Sequence, residues 1–224
     1  MNPILEFRRV CLATGPAQES GLADLSFALE PGGLALLELD QGQADHPLAD
    51  LASGLLDPES GEVLFDGVPW LQRSADEAGA RRGQIGRVFH VPGWVSNLDV
   101  DENVTLFARY HRMLPEGEAY AQAQELAQRL GLSGLPAGRP AQVARPDLRR
   151  AEWVRALLGE RRLVILERPL HDLPPAWGEP LLAEVERQRV RGVAFLWMQG
   201  PGLAVDRLKP TLQFKVESGN IIRN

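Results

Sequence analysis

Residues 34–56 read LALLELDQGQADHPLADLASGLL. The stretch Leu34–Leu39 is apolar except for Glu38, and it follows the turn Pro31-Gly32-Gly33. A continuous apolar run of this kind predicts a strand buried on both faces, as in a parallel sheet. Small and polar residues, Asp40–His46, then make a loop. Pro47–Leu56 places Leu48, Leu51 and Leu55 on one stripe, which predicts a helix. Strand, loop and helix in this order are one half of a βαβ unit.

The pattern extends outward from there. Upstream, Ile4–Val10 and Leu25–Leu29 alternate as strands, the second more cleanly. Downstream, Asp57-Pro58-Glu59-Ser60-Gly61 is a turn that opens a hairpin, Glu62–Phe65, reversed at Asp66-Gly67. Ile85–Phe89 is another buried strand. Asp99 with Glu102 resembles a capping box and opens a helix Val100–Met113, followed by helices Gly117–Leu130 and Leu148–Leu158. The last third alternates again: strand Leu163–Leu166, helix Gly178–Arg189, strand Val193–Met198 and a terminal hairpin, Thr211–Val216 with Ile221–Ile222. Strands alternating with helices predict a three-layer α/β fold with an N-terminal antiparallel part. With no linker, repeat or low-complexity stretch between these parts, a single domain over 1–224 is expected, with a helical subdomain at about 91–150.

Composition narrows the function. The chain has 224 residues, 44% hydrophobic and 24% charged, with net charge −6, which excludes wholesale disorder and argues against non-specific nucleic-acid binding. The one cysteine, Cys11, excludes an internal disulfide and sits in a predicted strand as core. No apolar run reaches a membrane span and no secretory leader pattern opens the chain, so a cytoplasmic protein is expected. The only lysines are Lys209 and Lys215. Chemistry that needs a lysine earlier in the chain is therefore excluded.

Three stretches, LDPESGEVLFDG (56–67), IGRVFHVPGWVSNLDVDENVTLFARYHR (85–112) and RRAEWVRALLGERRLVILERP (149–169), resemble the nucleotide-binding subunit of ATP-binding cassette (ABC) transporters. The resemblance covers nearly the whole chain and implies the P-loop NTPase-like ABC fold. The middle stretch is most similar to the branch that serves lipid-transporting, Mla-type (MCE) permeases. The functional motifs depart from the family pattern. Its phosphate loop, G-x-x-x-x-G-K-[ST], is matched here by 39–46, where Gly42 survives but Asp45 stands for the lysine and His46 for the hydroxyl. Asp45 reverses the local charge, and it is expected to cap the following helix, occupying the N–H groups that otherwise bind phosphate.

The other motifs diverge as well. Glu167 and Arg168 match the acidic pair after the buried strand, and an arginine cannot act as a general base. Arg168 is expected to pair with Glu167 or Asp45. His90 matches the glutamine that links Mg²⁺ to the permease contact, and Gln199 or Gly200 matches the switch histidine. The LSGGQ signature is matched by Val143–Asp147, the D-loop aspartate by Pro174, and no adenine-stacking aromatic lies near Ala13–Gly15. The resemblance therefore implies a non-catalytic subunit with no bound ATP or Mg²⁺, seated on the inner face of the membrane by a permease, with a second ATPase subunit or a second copy beside it. Docking is assigned to His90, Pro92, Trp94 and Asn97, in the region that takes the permease's coupling helix in the family.

Two other functions remain open: a soluble homodimer or adaptor without a permease, and an ATP-binding protein with an unorthodox site. An exposed apolar groove around Trp94 favours the permease subunit, and a polar one the adaptor. His46 beside Asp45, and His171 beside Asp172, lack a spaced third ligand, so no metal site is expected. Arginines 145, 149, 150, 155, 161 and 162 are expected to form a solvated or ion-paired face.

Overall fold

The computed structural model describes residues 2–14, 21–40, 46–111, 114–171, 173–201, 206–217 and 220–223. Strands β1 (Leu5–Leu12), β2 (Leu22–Leu29), β4 (Ser60–Phe65) and β5 (Val68–Pro69) form an antiparallel sheet in the order β2-β1-β4-β5. Strands β3 (Leu34–Glu38), β6 (Ile85–Val88), β7 (Leu163–Glu167), β8 (Ala194–Gln199), β9 (Leu212–Glu217) and β10 (Asn220–Arg223) form the second sheet, ordered β10-β9-β3-β8-β7-β6. Within it β9, β3, β8, β7 and β6 pair in parallel, and only β10 runs antiparallel. The uninterrupted apolar run at Leu34–Leu37 is explained by this position, since β3 lies between β8 and β9 with a core on each face.

Alternation along the central strands divides two cores. Leu163, Ile165, Leu196 and Met198 point to the side shared with the antiparallel sheet, where Phe7 stacks on Phe27 with centroids 4.7 Å apart. Val164, Leu166, Phe195 and Trp197 point the other way, toward the helices α3 (Val100–Tyr110), α4 (Glu116–Arg129), α5 (Arg145–Leu157) and α6 (Glu179–Val190). The result is antiparallel sheet, parallel sheet and helices in three layers. Gly86 in β6 lets α5 approach the sheet edge, since a Cβ there meets the Ala156 carbonyl oxygen at 1.8 Å.

Local differences from the pattern have local causes. The helix after the loop, α1, spans only Leu48–Ala52. It stops because Gly54 turns left-handed at φ +63 and carries the indole of Trp70 against its Cα, leaving Leu55 exposed rather than on the buried stripe. A further helix, α2 (Ala75–Arg82), has no apolar stripe to announce it. A capping box starts it: Glu77 Oε2 accepts from the Ser74 N–H at 2.9 Å, and Ser74 Oγ accepts from the Glu77 N–H at 3.3 Å. At α3 the Glu102 carboxylate accepts from the Asp99 N–H at 2.7 Å, as the spacing predicts.

Candidate functional site

The carboxyl ends of β3, β7 and β8 bring together residues that lie far apart in sequence. Glu167 closes β7 and is buried. Its carboxylate accepts from Nε of Arg87, on the neighbouring strand β6. The same guanidinium reaches the opposite way, where Nη1 donates to Asp50 Oδ1 of α1 at 2.5 Å. Burial disfavours a charge on Arg87, but the two carboxylates outweigh it and its pKa is raised. The sequence alone offers Arg168 as a partner for Glu167 or Asp45, and the structure puts the Arg87 guanidinium on Glu167. A trace of it exists in the sequence, because Ile85-Gly86-Arg87-Val88 places one charge inside an otherwise apolar strand.

Arg168 follows in a left-handed conformation, φ +45. Its N–H donates to the Met198 carbonyl at 2.8 Å, and its own carbonyl accepts from Arg149 Nη2 at 2.7 Å. Gln199 ends β8, buried, with its carbonyl accepting from the Leu39 N–H at 2.7 Å. Gly42 and Asp45 lie outside the described residues, as does the expected capping by Asp45. His46 is described and buried. Its Nδ1 accepts the Leu48 N–H at 3.2 Å, so an imidazole meets the first turn of α1. Desolvation lowers the pKa of His46 to about 4, which keeps the ring neutral at physiological pH.

The residues assigned to docking divide. His90, Pro92 and Trp94 line a cavity of about 660 Å³ between the loop after β6 and the N-terminal half of α5. Asn97 is not part of that lining; its carbonyl accepts from Arg139 Nη1. The Trp94 indole is half-buried, with the Arg155 guanidinium 4.8 Å above its ring. Arg155 also borders a second hollow, of about 210 Å³, where Leu55, Ile85, Phe89 and Phe107 make an apolar groove edged by arginines. Leu55 is 58% exposed and Phe89 37%, so the apolar surface lies beside Trp94 rather than around it. Within the arginine cluster Arg149, Arg150 and Arg162 are ion-paired, in line with the expected solvated or ion-paired face, and Arg161 departs from it. Arg161 is buried against Phe107, its pKa lowered to about 10 by desolvation, while Arg149 donates to Glu152 Oε2 at 2.6 Å.

Comparison with known proteins agrees with this architecture. The model of the ABC transporter family matches residues 22–171, and the chain belongs to that family. It is 26% identical to the putative hemin import ATP-binding protein HrtA of Staphylococcus epidermidis over 75% of each chain. It is 30% identical to the ribose import ATP-binding protein RbsA 1 of Rubrobacter xylanophilus over 88% of this chain and 39% of that one. Among solved structures, the ATP-binding cassette MJ0796, a dimer in a post-hydrolysis state bound to ADP and Pi, superposes with a TM-score of 0.86 at 18% identity, covering 98% and 97% of the two chains. CbiO1 of Clostridium perfringens superposes with a TM-score of 0.78 at 22% identity, over 99% of this chain and 88% of that one. The fold is that of the ABC ATPase cassette. No helix among the described residues is long and apolar enough to cross a membrane.

Proposed function

We propose that this chain is a non-catalytic, ATPase-like subunit of a membrane transport complex, held on the cytoplasmic face by a permease and acting as a structural or regulatory partner. One juxtaposition carries the reading. Glu167, which the family resemblance places at the Mg²⁺ position, already holds the Arg87 guanidinium, and Asp50 anchors that guanidinium from the other side. A divalent cation there has to displace a buried, doubly bonded cation. Arg168 stands where the general base belongs, and its protonated guanidinium cannot accept a proton from water. His46, in place of the metal-binding hydroxyl, is neutral and spends Nδ1 on the Leu48 N–H. These residues do not fit Mg²⁺–ATP, and no hydrolytic step is assigned to them.

The docking half of the reading rests on the groove of Leu55, Phe89 and Phe107, which suits an apolar face of an amphipathic helix from the permease. The lipid-handling Mla (MCE) branch is supported by the resemblance of residues 85–112. The relatives carry names of hemin import, ribose import and macrolide export, so cargo is assigned from that stretch alone. The cavity on the Trp94 side mixes charged residues, Arg145, Arg149 and Glu152, with apolar ones, and its charged part suits the second reading, a soluble adaptor. Native purification in mild detergent, with mass spectrometry of what is retained, separates the two. A permease retained by the natural chain and lost on Leu55→Glu supports the transport subunit. A clean soluble protein without membrane partners overturns it in favour of the adaptor.

A further inference from the structure

The groove of Leu55, Phe89 and Phe107 has a rim of one sign. Arg82, Arg87, Arg155 and Arg161 border it, and no carboxylate is among its described lining residues. Each guanidinium lies over an aromatic ring: Arg82 over Trp70 at 5.6 Å, Arg87 over Phe89 at 4.5 Å, Arg155 over Trp94 at 4.8 Å and Arg161 over Phe107 at 4.7 Å. Such contacts fix a guanidinium in place without cancelling its charge.

Compensation is uneven around this rim. Arg87 is neutralised by Glu167 and Asp50. Arg82 bonds to the main chain, Nε donating to the Ser53 carbonyl at 3.1 Å and Nη2 to the Gly54 carbonyl, which leaves its net charge in place. Arg155 donates from Nη1 to the Gly93 carbonyl at 2.7 Å, and its Nη2 is buried with no hydrogen-bond partner among the described residues. Glu152, one turn earlier in α5, is bound by Arg149. Two fixed cations therefore edge an apolar surface, and a partner that brings negative charge gains most there. The hollow of about 210 Å³ is smaller than the roughly 300–1,000 Å³ of small-molecule sites, and Leu55 and Phe89 lie exposed on it. That shape takes side chains from an opposing surface rather than enclosing a free small molecule.

We infer that the helix docking in this groove carries a carboxylate at the edge of its apolar face, and that Arg82 and Arg155 select for it. The inference rests on the reading of the groove as the permease-docking surface and adds the charge of the partner. A helix with a basic residue at the same place meets like charge and is rejected.

Fluorescence-anisotropy titration with two labelled helical peptides of about 18 residues tests it. The peptides share one leucine face and differ in a single residue at its edge, Glu or Lys. The natural chain is expected to bind the Glu peptide about tenfold more tightly. Arg82→Gln and Arg155→Gln each cut that preference to about threefold or less, Arg82→Glu reverses it, and Leu55→Glu weakens both peptides. Equal binding of the two peptides, lost in Leu55→Glu, overturns the charge inference and leaves the docking surface standing. Binding of neither peptide overturns both. A Glu preference that all of these variants leave unchanged places the peptide elsewhere on the chain and overturns the inference as well.

Discussion

Replacing Arg87 by methionine leaves Glu167 buried without the guanidinium that neutralises it. The side chains of Arg87 and Glu167 are 12% and 9% exposed, so their contact is screened very little by water. Asp50 is 47% exposed, and its share of the network is that of a surface pair, at most about 1 kcal/mol. Stranding one partner of a buried pair costs about 3–5 kcal/mol, and the lower end applies because the Asp50 carboxylate can turn to solvent. For a chain of this size, about 3 kcal/mol lowers the melting temperature by about 6–12 °C. Thermal and urea unfolding of Arg87→Met, Glu167→Gln and the double variant make the assay. Removing both charges recovers most of the loss, because the penalty lies in the uncompensated carboxylate. A single variant within 1 kcal/mol of the natural chain, or a double variant no better than Arg87→Met, refutes this account of how Glu167 is held.

The neutral, buried His46 makes stability depend on pH. Its folded-state pKa near 4 lies below the ordinary 6.5, so the unfolded chain takes up a proton first as pH falls. Its contribution, on the order of 3 kcal/mol, is fully present above about pH 6.5 and is lost toward about pH 4; unfolding midpoints of His46→Gln between those limits should therefore fall less steeply than those of the natural chain. Gly86→Ala forces a methyl into the Ala156 carbonyl and should cost about 3 kcal/mol, read by thermal unfolding. Asn103 is buried; it accepts from the Val95 N–H at 2.8 Å and donates to the Val95, Leu98 and Asp99 carbonyls. Asn103→Ala should cost about 2 kcal/mol and speed amide exchange at Val95, whereas an unchanged exchange rate there would mean that other contacts hold this loop.

Elements whose signals are local were legible. The run Leu34–Leu39 marked a strand buried on both faces because parallel strands carry no polar face. Asp99 and Glu102 marked the start of α3 because a cap is set by residues within one turn. The end of α1 was not legible, since Leu55 keeps the helical spacing and is turned away only by Gly54 packing under Trp70, which lies much later in the chain. α2 carries its signal in Ser74 and Glu77, yet its face buries little beyond Ala78, so apolar periodicity gives no sign of it. The site shows the same division. Glu167 and Arg168 could be placed at the end of a buried strand from their position in LVILERP (163–169). The partner of Glu167 could not, because Arg87 meets it only through the pairing of β6 with β7, eighty residues apart. Trp94 was placed in the right loop, but which side of that loop is apolar depends on Leu55 and Phe107, supplied by two other elements.

The central claim is that the nucleotide site of this ABC family member is closed by its own side chains. Calorimetric titration of Mg²⁺–ATP into the protein tests it most directly. The account predicts no saturable heat through the millimolar range, for the natural chain and for Glu167→Gln alike. Saturable binding at sub-millimolar ATP that Glu167→Gln abolishes would contradict it, since Glu167 would then be holding a metal rather than Arg87.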